Sequence, residues 1–144
     1  HKLLQYVSKN DITRINKFCL YTNDHVINQV DPLSNQAPLH HCAVTNNIRM
    51  TEYIIKNCKS VNSNVCDSLG RTPLMMAAES GNIEIVQILL TGSQLNPAAS
   101  AYIVDKSGRD VFCYSCSHCT ARHKTITQIL AENTKTQDKN NSVV

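Results

Sequence analysis

Tryptophan is absent from the 144 residues, and all aromatic residues together make up only 5% of the chain. The sequence is nevertheless 42% hydrophobic. A core of this composition is filled by Leu, Ile, Val and Ala, which suits thin helices packed closely, and the length allows one domain with a modest core. Glycine is scarce, with four residues, and no phosphate-cradling G-x-x-x-x-G-K loop occurs; nor does a calcium loop of the D-x-[DN]-x-[DN]-G type. No apolar run approaches the roughly 20 residues of a membrane span, and the chain does not open on a signal-peptide pattern. A strong charge of one sign is also lacking. The net charge is +3 with a pI of about 8.5, and Lys124, Lys135 and Lys139 are scattered. Nucleic-acid binding calls for a clustered basic face, so neither nucleic acid nor membrane is expected as a partner. Cysteine is not scarce: there are seven. An odd number, unevenly spaced amid helical patterns, reads as reduced and intracellular, not as a secreted disulfide framework. The first residue is His, not Met, which reads as a piece of a longer protein with flanking repeats of the same chain beside it.

The stretch from Asp67 to Asn96 organises the rest. Asp67-Ser-Leu-Gly70 is a turn signal. Thr72-Pro73 opens a helix, because the Thr hydroxyl caps an orphan N–H and Pro at the first helical position needs none. Leu74, Ala77 and Ala78 form an apolar stripe. Gly81-Asn82 separates this helix from a second, in which Ile83, Val86, Leu89 and Leu90 recur at helical spacing. Two short helices and a turn cannot bury both apolar faces alone, so copies are expected on either side.

Such copies occur. In residues 31–66, Pro38-Leu39-His40-His41-Cys42-Ala43 aligns with Pro73 to Ala78, Asn46-Asn47-Ile48 with Gly81-Asn82-Ile83, and Tyr53-Ile54-Ile55 with Ile88-Leu89-Leu90. Ala37 stands where Thr72 stands, so a side-chain cap is lost, at a cost of about 1 kcal/mol. Asn35 stands where Gly70 stands, and Asn tolerates a left-handed backbone. Residues 1–30 read as a degenerate first copy, with Leu3, Leu4 and Val7 on one helix and Ile12, Ile15, Phe18 and Cys19 on the next. Residues 105–133 read as a divergent fourth. Its turn is Asp105-Lys-Ser-Gly108, its cap Asp110, its inner first-helix positions Val111, Phe112, Ser115 and Cys116, and its second-helix core Ile126, Ile129 and Leu130. From the last core residue of a second helix to the next turn Asp the steps are 12, 12 and 15 residues. Residues 134–144 are polar and without periodicity, reading as a linker or the start of a further repeat.

The run GRTPLMMAAESGNIEIVQILL is similar to the ankyrin repeat, with Met75 in place of the usual His. The resemblance implies an all-α solenoid, here of about four helix-turn-helix repeats across residues 1–133 (1–30, 31–66, 67–104 and 105–133), with β-turn fingers along one edge. Within that family the chain resembles the ankyrin repeat and EF-hand domain-containing proteins. The residues concerned are Leu4-Gln5, Val7, Asp11, Ile27-Asn28, Leu39-His40, Ala43-Val44, Asn46, Thr72-Pro73, Met76-Ala77-Ala78-Glu79, Ile103-Val104-Asp105, Gly108, Val111, Tyr114 and Arg122-His123. That resemblance implies an intracellular protein of the cytoplasm or cytoskeleton, linked to the cilium or flagellar axoneme, with any calcium-binding part outside these residues.

The family pattern also implies a partner surface at the turn tips and outer first-helix positions. These are Leu33, Gln36, Val44 and Thr45; Ser68, Leu69, Arg71, Glu79 and Ser80; and Lys106, Ser107, Arg109, Ser117 and His118. The reading is a non-enzymatic protein–protein interaction scaffold without a cofactor. The competing reading is a metal- or redox-responsive module built on Cys113, Cys116, Cys119 and His123, since Cys spaced by two beside His suits zinc. On a continuous helix the three thiols would spread over roughly 120° of arc and fail to converge, unless the helix breaks after Cys116. His40 and His41 have no nearby acid to orient them and read as structural. Nothing in the chain fixes a nucleophile elbow or an oxyanion hole.

Overall fold

The computed structural model describes residues 2–21 and 26–142. Helices run in pairs: α1 (Lys2–Ser8) with α2 (Ile12–Tyr21), α3 (Pro38–Thr45) with α4 (Ile48–Asn57), α5 (Pro73–Glu79) with α6 (Ile83–Thr91), and α7 (Val111–Ser115) with α8 (Ala121–Asn141). A single 3-10 turn, Val26–Asn28, follows the first pair. Among the described residues there is no strand. The first helices stack in the order α1, α3, α5, α7, and α4, α6 and α8 stack beside them. Apart from α2, which packs mainly on α1, each helix thus meets its partner and its counterpart in a neighbouring repeat, as in a solenoid.

Local chemistry sets the helix starts. Thr72 Oγ1 accepts from the Met75 N–H at 3.3 Å, with Pro73 in the first position. Asp110 Oδ1 does the same for Cys113 at 3.0 Å, and Asn47 Oδ1 for Met50 at 3.1 Å. Ala37 offers no acceptor, as expected. The imidazole of His40 serves instead, its Nδ1 accepting from the Ala37 N–H at 3.1 Å.

The core follows the periodicity. Leu3, Val7, Leu39, Cys42, Ala43, Leu74, Ala77, Ala78, Val111 and Tyr114 are buried along the first helices, and Ile15, Met50, Ile54, Ile55, Ile85, Val86, Leu89, Leu90, Ile126 and Leu130 along the second. Each buried Leu or Ile contributes roughly 1.5–3 kcal/mol. The small residues Ala43, Ala77 and Ala78 let neighbouring first helices approach closely. Ile83 is only half-buried, whereas Ile85 is fully buried; α6 has α4 on one side and α8 on the other, so it needs more than one apolar stripe.

The fourth repeat departs from its expected layout. Cys116, aligned with the buried Ala78, is exposed, because α7 ends at Ser115, well short of the length of α5. Two hydroxyls bond back into the last turn: the Phe112 carbonyl also accepts the Cys116 N–H at 3.0 Å, whereas the Tyr114 carbonyl is one that a further turn would use. Ser115 Oγ donates to the Phe112 carbonyl at 3.0 Å, and Ser117 Oγ to that of Tyr114 at 2.7 Å. Such local side-chain bonds compete with helix continuation. Tyr114 and Ser115 hold the inner positions, while Phe112 and Ile129 are only partly buried. Residues 134–141, expected as a linker or the start of a further repeat, continue α8. They contain neither Gly nor Pro, and Tyr102 Oη ties the helix down by donating to Asp138 Oδ1 at 2.8 Å.

The connectors are held by asparagines in register. Asn96 is buried; its Oδ1 accepts from the Val61 N–H at 2.7 Å, and its Nδ2 donates to the carbonyls of Ile55 at 2.9 Å and Cys58 at 2.8 Å. Two repeats earlier Asn28 does a similar job toward the second repeat, accepting from the Asn62 N–H and donating to the Ser60 carbonyl, both at 2.7 Å. Asn96 thus sews its loop to the end of α4, and Asn28 joins its loop to the connector that follows α4.

Candidate partner-binding surface

Three fingers project from the stack, each built on an aspartate. Asp67 Oδ1 accepts from the N–H groups of Leu69 and Arg71, both at 2.9 Å. Its Oδ2 meets the Arg71 guanidinium at 2.9 Å through Nε and 2.8 Å through a terminal nitrogen. Asp105 repeats this with the N–H groups of Ser107 and Arg109 and the Arg109 guanidinium. It adds the hydroxyl of Tyr114 at 2.6 Å. Burial pushes the Asp67 carboxyl up, but the Arg71 N–H, the Arg71 guanidinium and the Leu69 N–H together hold it below its ordinary value. Asp105 is held well below the carboxylate range, first by the Tyr114 hydroxyl and then by the Arg109 N–H.

The second-repeat finger is one residue longer. Asn35 donates to the Asp31 carbonyl at 2.7 Å, whereas Gly70 donates to that of Asp67 at 3.0 Å; the first of these turns spans five residues and the second four. Asn35 takes φ 54° and Gly70 φ 79°, the left-handed region expected for both. Asp31 Oδ2 holds this turn through the Ser34 N–H and hydroxyl, both at 2.9 Å. Neighbouring fingers touch: the Lys106 N–H donates to the Leu69 carbonyl at 3.0 Å. His40 Nε2, 2.8 Å from the Arg71 carbonyl, ties α3 to the next finger.

The anticipated surface residues divide into two groups. Leu33 is 97% exposed at its fingertip and Leu69 53%, with Val44 at 49% on α3. Thr45, Ser68, Ser80, Lys106, Ser107, Ser117 and His118 are also exposed, and Gln36 and Glu79 are half-buried. Arg71 and Arg109 are different. Each guanidinium is engaged by the aspartate of its own turn, and Arg109 also lies over the Tyr114 ring at 5.0 Å. These two build the fingers, so reversing their charge would disturb the turns as well as any surface they carry. Val104, 54% exposed just before the turn Asp105, was missed by sequence reasoning. Its signal was its place, next to the finger aspartate.

Cys113, Cys116, Cys119 and His123 do not form a metal-holding group, although the His118 and His123 rings lie 5.1 Å apart. Cys113 lies in α7, Cys116 follows its last residue, and Cys119 precedes α8; all three are exposed. The helix does break at Cys116. Even so, among the described residues no group of three or more His, Cys, Asp or Glu is placed to hold a metal ion. His123 has another task. Its Nδ1 lies 2.6 Å from Thr120 Oγ1 and its Nε2 2.9 Å from the Glu79 carbonyl, so both ring nitrogens are occupied at the start of α8. This parallels His40, which also bonds to the residue three before it and to a carbonyl in a neighbouring repeat; a His three residues after the capping Thr120 is the signal that could have revealed it.

No helix of the described residues is long and apolar enough to cross a membrane. The paired helices and the fingers recur with the period of a known repeat, and Pro-Leu opens both α3 and α5. A family model described as ankyrin repeats in three copies matches residues 3–99. The chain belongs to the ankyrin-repeat family, whose members act as protein–protein interaction modules.

Proposed function

We propose that this chain is a non-enzymatic scaffold that captures a protein partner with its fingertips and the adjoining outer positions of the first helices. The observation that carries the reading is the exposure of Leu33 and Leu69 on turns whose backbones are fixed by Asp31 and Asp67. Single exposed apolar residues are ordinary. Apolar tips repeated at the same place on rigid turns are a surface whose ordering cost was met on folding, which favours association. Val44 and Val104 extend it, and Ser68, Lys106 and Ser107 give it a polar rim. Neither nucleic acid nor membrane suits so mixed and mildly charged a face.

Photo-crosslinking residues placed singly at 33 and 69, and for comparison at 84 and 87 on the exposed side of α6, test this in cells. The reading expects one discrete protein adduct from 33 and 69 and none from 84 and 87. Adducts from α6 alone would move the partner to the groove that Ile48, Glu52 and Ile55 form with Glu84, Gln87 and Ile88.

The finer setting rests on sequence resemblance to the ankyrin repeat and EF-hand domain-containing proteins. It is an intracellular one, within a ciliary or flagellar assembly, in a longer chain that carries flanking repeats and a calcium-binding part. Axonemal localisation of the tagged full-length protein supports this; a diffuse cytoplasmic signal in ciliated cells removes it.

A further inference from the structure

Cys19, near the end of α2, and Cys58, which caps α4, bring their Sγ atoms within 3.0 Å of each other. Both are free thiols. Cys58 is buried, at 2% exposure, whereas Cys19 is half-buried and within reach of solvent. The two join adjacent repeats at their weakest junction. The second helices α4, α6 and α8 pack closely in succession, but α2 approaches α4 only sparsely, and Ile15 is the only fully buried residue of α2.

We propose that Cys19 and Cys58 form a reversible disulfide that fastens the first repeat to the second when a small-molecule disulfide, of the oxidised-glutathione class, is present. The Cys19 thiolate attacks one sulfur of the small disulfide, whose S–S bond breaks and releases one thiolate. Cys58 then gives its proton to water and attacks Cys19 Sγ, and the mixed disulfide breaks and releases the second thiolate. Two protein thiols are oxidised, and one small disulfide is reduced to two thiols. The order of attack follows from the contact. The hydrogen bond from Cys58 lowers the Cys19 thiol below its ordinary value despite partial burial, and the same contact and burial raise Cys58. A lowered, accessible thiol attacks and a raised, buried one resolves. Cys42, fully buried and pushed up to about 12 by that burial, takes no part.

The test uses the chain with Cys66, Cys113, Cys116 and Cys119 replaced by Ser, with helicity checked by circular dichroism, and the unaltered chain in parallel. Each is incubated with oxidised glutathione, alkylated and cleaved with trypsin. A disulfide joining peptide 57–59 to peptide 18–49, assigned to Cys19 by fragmentation, is expected in both. It should vanish in Cys19→Ser and Cys58→Ser and on reduction, and it should raise Tm by roughly 5–10 °C. Glutathione adducts on Cys19 without the cross-link, or linkage through Cys42, would overturn the proposal. So would a cross-link that leaves Tm unchanged, which would mean the junction was already rigid.

Discussion

The Tyr114 hydroxyl donates to Asp105 Oδ2 at 2.6 Å, joining the first helix of the fourth repeat to its own finger. The third repeat has Met76 in the equivalent place, and there Asp67 relies on Arg71 and backbone N–H groups alone. The last finger thus carries an extra fastening, from a helix two residues shorter than its counterpart α5.

Asp67 and Asp105, two of the three finger aspartates, give the protein an acid limit. Their folded-state pKa values lie below the ordinary one. Their contribution is therefore complete above about pH 4 and is lost as the pH falls through the folded values. Urea midpoints measured at pH 5 and pH 3 should fall steeply for the unaltered chain. Tyr114→Phe should lower Tm by a few degrees at pH 7 and flatten the acid slope. An unchanged slope would show that the hydroxyl does not set the Asp105 titration.

His40 should behave as a neutral staple. Burial depresses its pKa despite the Arg71 carbonyl beside it. An unfolded chain therefore takes up a proton before the folded one, and the His40 contribution, complete above about pH 6.5, declines as the pH falls through the folded value. His40→Ala removes the partners of the Ala37 N–H and the Arg71 carbonyl and opens a cavity, costing roughly 2–4 kcal/mol by urea denaturation. His40→Met, which copies the third repeat, should cost less. Equal costs would mean that the hydrogen bonds, not the volume, carry the effect.

Asn96→Ala should rank among the most damaging polar substitutions. It orphans one buried N–H and removes donors from two carbonyls, a loss of roughly 2–4 kcal/mol. Amide exchange at Val61 should accelerate more than at Ile54. Asn62→Ala, at an exposed position, should cost less than 1 kcal/mol, roughly the value of one surface hydrogen bond.

Gly70 and Gly108 occupy the same turn position with similar φ, 79° and 75°. A Cβ on Gly70 would stand 2.9 Å from the Lys106 nitrogen of the next finger, while one on Gly108 meets nothing within 4 Å. Gly108→Ala should therefore cost only the left-handed backbone term, about 1–2 kcal/mol. Gly70→Ala should cost more, by an amount that reports how rigidly the fingers are stacked. Equal costs by urea titration would show that the finger spacing gives way easily.

Most of the repeat was legible because its determinants are local. Gly70, Asn35, Thr72, Pro73 and Asp110 each do in the structure what their chemistry allows over three or four residues. Long-range ties left weaker marks. Nothing near Asn96 in sequence points to the Ile55 and Cys58 carbonyls, and nothing near Cys19 points to Cys58. The misplacement of Cys116 came from carrying the length of α5 onto α7, although Ser117 was there to compete for the Tyr114 carbonyl. Arg71 and Arg109 looked like free surface charges because the aspartate partner of each lies four residues back, across a turn whose folded shape closes the pair. The exposed leucines of the fingers were legible, since a turn tip has nowhere to bury them.

Because the substantial helix contacts among the described residues run within a repeat or between successive repeats, tension applied along the stack is borne in series. The α1–α2 pair, with the thinnest interior, would yield first, while the α5–α6 pair, enclosed on both sides, would hold longest. Loaded between two attachment points, such an array is expected to open one helix pair at a time, starting from the α1–α2 end.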